Sequence, residues 1–219
     1  MKEIKIIGLT GPYCAGKNHV ARILEQRLLP VLDVDKLGHS VIEAERERLL
    51  KRFGAGIIEK NGLVDRKQLG AMVFGRPEEL TALEEIIHPG VNRETLEWIN
   101  TRKGKACFIN AALLHRSSAF EHLDAIILVE APFLVRLLRA KMRDHLPWLS
   151  LIKRFRSQRE YFSQEFYSQL LKRKTDIYRV SNSSGCTNSR SFFCGKCFLQ
   201  NKLEKRIDEI LSLTGITRV

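Results

Sequence analysis

The chain has 219 residues, of which 44% are hydrophobic and 28% charged, a balance typical of a soluble globular protein with one sizeable core. No apolar run approaches the ~20 residues of a membrane-spanning helix, and the first residues lack the pattern of a secretory signal, so we expect a cytoplasmic protein. The net charge of +12 is uneven, because residues 133–179 hold twelve Lys and Arg against four Asp and Glu. Such a segment favours a polyanionic ligand.

The first predicted element is a strand over residues 4–9, which leads into a loop with two glycines at residues 11–18. A helix from about Lys17 to Leu28 follows the loop. Strand, Gly-x-x-x-x-Gly-Lys and helix in this order are typical of a P-loop, in which backbone N–H groups, the helix N-terminus and the lysine bind phosphate oxygens. The residues predicted to bind a nucleotide are Gly11, Tyr13, Cys14, Ala15, Gly16, Lys17 and Asn18.

The next part of the chain is predicted to be largely helical. A short strand over residues 31–35 ends with two acids, and residues 36–60 read as helix with a stop at Phe53-Gly54. Pro77 opens a further helix, with Glu78 and Glu79 near its positive end. We expect His88-Pro89 to break that helix and another helix to run toward Lys103.

The second half of the chain returns to strands that alternate with helices. Residues 106–109 and 125–129 are continuous apolar runs, as in parallel strands covered on both faces. Basic helices are predicted from 132 to 144 and from about 148 to 174, followed by a strand at 177–180, a loop at 181–199 and a helix at 203–213. The pattern predicts an α/β fold with a doubly wound parallel sheet of about five strands.

Five cysteines stand in the sequence, and we interpret them as reduced thiols. Cys194-Gly-Lys-Cys197, with Cys186 upstream, resembles half of a zinc site. An ordinary loop is the favoured interpretation, because no fourth ligand completes the set.

Together these segments resemble the dephospho-CoA kinase family. Beyond the P-loop, the similarity rests on an ordered series over roughly residues 4–180: Val34-Asp35 with His39, Phe53-Gly54, Asn61-Gly62-Leu63-Val64-Asp65-Arg66 with Leu69, Val73-Phe74, Ile86-Ile87-His88-Pro89, and Arg139 with Arg143-Asp144 and Gln158. The resemblance implies transfer of the ATP γ-phosphoryl group to the ribose 3′-hydroxyl of dephospho-CoA, the last step of coenzyme A synthesis. It also implies a kinase core (residues 1–35, 104–132 and 175–219), a helical CoA-substrate domain (36–103) and a helical lid (133–174).

The implied cofactors are ATP and Mg²⁺, and each implied role has a physical rationale. Asp35 can accept the proton of the acceptor hydroxyl, whereas Asp33 is expected to be structural. Lys17 and Arg139 are predicted to stabilise the transferred phosphoryl group, and Arg143, on the same helical face as Arg139, to bind ATP. Substrate binding is predicted for two further residues, Arg66 and His88, for which helix capping or a core hydrogen bond is an open alternative.

The sequence departs from the family pattern at several positions. Asn18 stands where a Ser or Thr hydroxyl normally holds Mg²⁺; its amide oxygen can replace that ligand, with a weaker affinity expected. Tyr13 replaces a small residue and is expected to point away from the phosphates. Ala112 and Arg116 stand where the family has Pro and an acid, which puts any role of that acid in doubt.

Three other interpretations of the sequence stay open. They are a P-loop kinase for another nucleoside or nucleotide, a nucleotide-binding regulatory protein without turnover, and a nucleic-acid binder suggested by the positive charge. The favoured interpretation predicts small-molecule substrates, no nucleic-acid or membrane partner, and a monomer or weak homo-oligomer.

Overall fold

Five parallel strands form the central sheet. The computed structural model describes residues 4–114, 117–161, 175–183 and 196–216. Within them the strands lie in the order β2-β3-β1-β4-β5, which confirms the predicted α/β fold. Their bounds are β1 Lys5–Thr10, β2 Val31–Asp33, β3 Ala106–Asn110, β4 Ala125–Glu130 and β5 Asp176–Ser181.

Helices connect and cover these strands. Their bounds are α1 Lys17–Gln26, α2 Val34–Ala44, α3 Arg46–Phe53, α4 Arg66–Val73, α5 Pro77–Asn100, α6 Phe133–Asp144, α7 Trp148–Tyr161 and α8 Lys196–Leu213. Among the described residues, none of these helices is long and apolar enough to cross a membrane.

The hydrophobic core consists of separate clusters. One lies on the sheet face covered by α1 and α8, and a second lies on the opposite face against the C-terminal end of α5. A third cluster, built around Leu49, Phe53 and Leu69, joins α2–α5, and a small fourth one joins α6 and α7 to the P-loop. The helical part between β2 and β3 therefore has apolar packing of its own; its bounds as a domain stay a prediction.

Besides the last helix, which begins at Lys196 and not at residue 203, two predicted elements differ from the structure. The helix that begins at Pro77 continues through Pro89 to Asn100, because it is held along its length. Its first half packs in the α2–α5 cluster, its last turns pack on the sheet, and α2 approaches so closely that a Cβ on Gly90 would lie 2.7 Å from Val41 Cγ1. This packing outweighs the loss of one backbone donor at the proline.

The second difference lies at β2, which ends at Asp33 rather than at residue 35. Asp33 Oδ1 accepts a hydrogen bond from the Lys36 backbone N–H at 3.2 Å and so caps α2. Asp33 therefore has the structural role expected for it, and Asp35 lies in the first turn of α2.

Candidate active site

The candidate site is a cleft of about 1010 Å³ at the carboxyl edge of the sheet. Ligands of open α/β sheets bind at this edge, because loops and helix N-termini meet there. The lining comes from six parts of the chain, which are the P-loop and first turns of α1 (Gly11 to His19 and Arg22), α2 (Asp35), α5 (Leu80 and Glu84), the segment after β3 (Ala112 and Leu113), α6 (Arg139, Met142 and Arg143) and Asn182 after β5.

The P-loop backbone has little room for side chains. A Cβ on Gly11 would lie 2.3 Å from the Val129 carbonyl oxygen in β4, and Gly16 has φ +98°, a conformation that favours glycine. Among the described residues, no side chain caps the N-terminus of α1. Its first N–H groups are thus available to an anion, together with the positive end of the helix dipole.

Arg139 and Asn182 hold the loop from the side of α6 and β5. Arg139 Nη1 donates to the Ala15 carbonyl oxygen at 3.1 Å, and Arg139 Nη2 donates to the Asn182 carbonyl oxygen at 3.0 Å. Asn182, which is 3% exposed, donates its Nδ2 to the same Ala15 oxygen at 3.0 Å. These bonds fix the Arg139 guanidinium beside the P-loop.

Tyr13 connects the P-loop to α6 and α7. Its ring packs edge-on against Phe155, with the centroids 5.2 Å apart, and its hydroxyl donates to Asp144 Oδ2. The guanidinium carbons of Arg143 and Arg154 lie 4.9 and 5.8 Å from the ring centroid. Arg143 also donates to Asp144 at 2.7 Å, so this arginine lines the cleft while it is held by Tyr13 and Asp144.

Lys17 and Asp35 form an ion pair in the cleft. Lys17 Nζ lies 3.1 Å from Asp35 Oδ2; the lysine side chain is 12% exposed and the carboxylate 55% exposed. The structure thus brings a half-buried cation of the P-loop and an accessible carboxylate of α2 to one point. If a phosphate oxygen bound the Lys17 ammonium, the Asp35 carboxylate would lose its partner. It would then lie beside the phosphate as a proton acceptor.

Asn18 contacts a second amide, that of Asn110 at the end of β3. Asn110 Nδ2 donates to Asn18 Oδ1 at 3.2 Å. Asn110 is 1% exposed, and its Oδ1 is buried with no hydrogen-bond partner among the described residues. Hard, neutral amide oxygens are acceptable ligands of Mg²⁺, directly or through water, so the residues present fit this ion.

The predicted substrate residues lie elsewhere. Arg66 is the exposed first residue of α4, and His88 lies beside a shallow groove on α5 that adjoins the cleft through Glu84. Neither residue lines the cleft, and their contact with a substrate stays a prediction. Arg116, Cys186 and Cys194 fall outside the described residues, as do the side chains of Gln158 and Cys197.

Sequence reasoning missed Asn110, Asn182 and the α5 residues Leu80 and Glu84. Asn110 and Asn182 stand at or just after the carboxyl ends of strands. Since ligands of open α/β sheets bind at that edge, this position could have marked both residues as candidates for the site. Leu80 and Glu84 are four residues apart on one helix and carry no motif.

Burial and nearby arginines shift the pKa values of two titratable groups in the P-loop region. Burial raises the pKa of the Cys14 thiol, although Arg143 and Arg139 oppose this effect. Burial, Arg22 and Arg139 lower the pKa of His19 from its ordinary value of 6.5. Both groups are therefore expected to be uncharged near neutral pH.

Comparison with known proteins gives the family of this chain. A sequence model of the dephospho-CoA kinase family matches residues 5–170. Dephospho-CoA kinase of Treponema denticola is 32% identical over 74% of this chain and 77% of its own length, and that of Halalkalibacterium halodurans is 34% identical over 70% and 80%.

Two solved structures share the fold. A crystal structure from Thermus thermophilus matches with TM-score 0.73 and 29% identity over 97% of this chain and 98% of that one. Dephospho-CoA kinase from Campylobacter jejuni matches with TM-score 0.58 and 22% identity over 96% and 97%. The chain therefore belongs to the dephospho-CoA kinase family, a family of ATP-dependent kinases, as its sequence motifs indicated.

Proposed function

We propose that this chain transfers the γ-phosphoryl group of ATP to the ribose 3′-hydroxyl of dephospho-CoA. The observation that carries the proposal is the contact of Lys17 with Asp35, at 3.1 Å, inside the cleft that also holds the P-loop. A phosphate-binding cation and a proton acceptor at one point are what phosphoryl transfer to an alcohol requires.

In the proposed reaction, Lys17 and the N–H groups of the P-loop bind the ATP phosphates. Asp35 then orients the acceptor hydroxyl and accepts its proton as that oxygen bonds to the γ-phosphorus. The bond between the γ-phosphorus and the β–γ bridging oxygen breaks, and ADP leaves with the electron pair. Lys17 and Arg139 stabilise the charge on the transferred group.

Arg143 would reach ATP by leaving Asp144. The ion pair between Arg143 and Asp144 is exposed on the arginine side, where 58% of the side chain is accessible, so it is weak enough to exchange for a triphosphate. Tyr13 keeps α6 and α7 beside the P-loop during this exchange.

The Mg²⁺ ion would be held by Asn18, supported by Asn110. The ion neutralises phosphate charge and orients the triphosphate when bound. On the acceptor side, the CoA precursor would lie along α5, with Arg66 and His88 as candidate contacts. We further propose that the protein acts in the cytoplasm on small molecules, as a monomer or weak homo-oligomer.

The test is an acceptor panel with ATP and Mg²⁺: dephospho-CoA, adenosine and a nucleoside monophosphate. We expect ADP formation that depends on dephospho-CoA and a product phosphorylated on the ribose 3′-oxygen. Asp35→Asn should lower kcat by about 10²–10⁴, the contribution of a positioned proton acceptor.

A matched control is Asp33→Asn, because Asn caps helices as well as Asp does and the substitution removes a neighbouring carboxylate. Its kcat should stay within about twofold of the unaltered protein. Full activity of Asp35→Asn, or ADP formation with the other acceptors alone, would contradict the proposal.

A further inference from the structure

Two carboxamides occupy the positions at which P-loop proteins usually present a hydroxyl and a carboxylate to Mg²⁺. In such proteins the ion is held by the Ser or Thr after the P-loop lysine and by an Asp of the Walker B strand. Here the residue after Lys17 is Asn18. One of the two strands that flank β1 is β3, and it ends at Asn110, which pairs with Leu9 in the sheet register. Neither side chain carries charge.

The contact between the two amides leaves one oxygen unused. Asn110 Nδ2 donates to Asn18 Oδ1 at 3.2 Å, while Asn110 Oδ1 is buried and, in the part of the chain that the structure describes, has no hydrogen-bond partner. In this arrangement the Asn18 oxygen, the one atom of that side chain able to bind a cation, is engaged by Asn110.

Turning both amides over keeps one hydrogen bond between them and changes which atom of Asn18 faces the cleft. The Asn110 atom without a partner is then Nδ2 instead of Oδ1, so hydrogen bonding favours neither state, and a cation that binds the released Asn18 oxygen selects the second one. Asn18 Nδ2 then donates to Asn110 Oδ1, and Asn18 Oδ1 is released to a ligand in the cleft, which Asn18 lines. We propose that Asn110 is a positioning residue that holds the Asn18 amide with its oxygen toward the Mg²⁺ of the metal–nucleotide complex. This inference rests on the proposed function, because it assumes that the nucleotide arrives with a divalent cation.

A neutral site of this kind has a chemical consequence. Amide oxygens attract Mg²⁺ less than a carboxylate does, so the negative charge of the triphosphate must supply most of the attraction. The protein is therefore expected to bind Mg²⁺ weakly without nucleotide and to bind the preformed metal–ATP complex.

The experiment measures the dissociation constant of ATP by calorimetry, once with EDTA and once with saturating Mg²⁺. The ratio of the two constants reports the metal alone. Asn110→Leu, of similar volume, should reduce this ratio about three- to tenfold, the range expected for one lost orienting hydrogen bond, and leave ATP binding in EDTA unchanged.

The control uses Asn18→Ser, whose hydroxyl needs no amide partner to present its oxygen. In that background, adding Asn110→Leu should change the ratio less than about twofold. The inference is overturned if Asn110→Leu leaves the ratio unaltered or weakens ATP binding equally with and without Mg²⁺. It is also overturned if the effect of Asn110→Leu persists with Ser at position 18. Because the readout is binding, it is independent of which acceptor is phosphorylated.

Discussion

Substitution of Gly11 by alanine tests whether the P-loop depends on the space beside β4. The added Cβ would lie 2.3 Å from the Val129 carbonyl oxygen and 3.2 Å from Val129 Cβ. The first of these atoms belongs to the backbone of a central strand, so the loop itself must move by about 1 Å to restore a normal contact. Overpacking of this kind costs about 1–3 kcal/mol of unfolding free energy, which lowers Tm by about 2–12 °C for a chain of this size.

The displaced loop should also bind ATP less tightly, because its N–H groups no longer all point at the phosphates. Scanning calorimetry and ATP titration measure both effects. Gly38→Ala is the matched control, since a Cβ on this residue of α2 meets nothing within 4 Å and alanine favours a helix by up to about 1 kcal/mol. If Gly11→Ala matched the unaltered protein in Tm and ATP affinity, the steric argument would be refuted.

Two further substitutions test contacts of the P-loop region. Tyr13→Phe keeps the ring packed on Phe155 but removes the hydroxyl that donates to Asp144. The loss of this hydrogen bond should cost about 1 kcal/mol and lower Tm, measured by scanning calorimetry, by about 2–4 °C. An unchanged Tm would contradict this contact. For His19 the folded-state pKa lies below its ordinary 6.5, so stability is fully present above pH 6.5 and is lost as the pH falls and the unfolded state takes up the proton. His19→Gln should therefore lose less stability than the unaltered protein between pH 7.5 and 5.5 in urea titrations, and equal losses would refute the assignment.

The P-loop and the sheet could be predicted because their signals are local. The strand, the two glycines and Lys17 are contiguous in sequence, and the apolar runs of β3 and β4 are fully buried, as continuous runs predict. The proximity of Lys17 and Asp35 could also be predicted from the sequence, because the two residues belong to consecutive β–α units.

The rest of the site depends on contacts between distant parts of the chain. Asn110 is 92 residues from Asn18, and Asn182 is 167 residues from Ala15, so only the sheet order brings these pairs together. The course of α5 through Pro89 was predicted wrongly for a similar reason. The local preference of proline is visible in the sequence, whereas the packing that overrides it is not.

Because α5 is one long helix, a small rotation at its sheet end produces a large displacement at the end that lines the cleft. Ile99 is packed against the sheet, while Leu80 lines the cleft about 28 Å away along the helix axis. A rotation of about 5° at the sheet end would carry Leu80 through about 2.5 Å, more than the tolerance for in-line attack on a phosphorus atom. Mutations around Ile99, far from either substrate, should therefore change the rate of the chemical step.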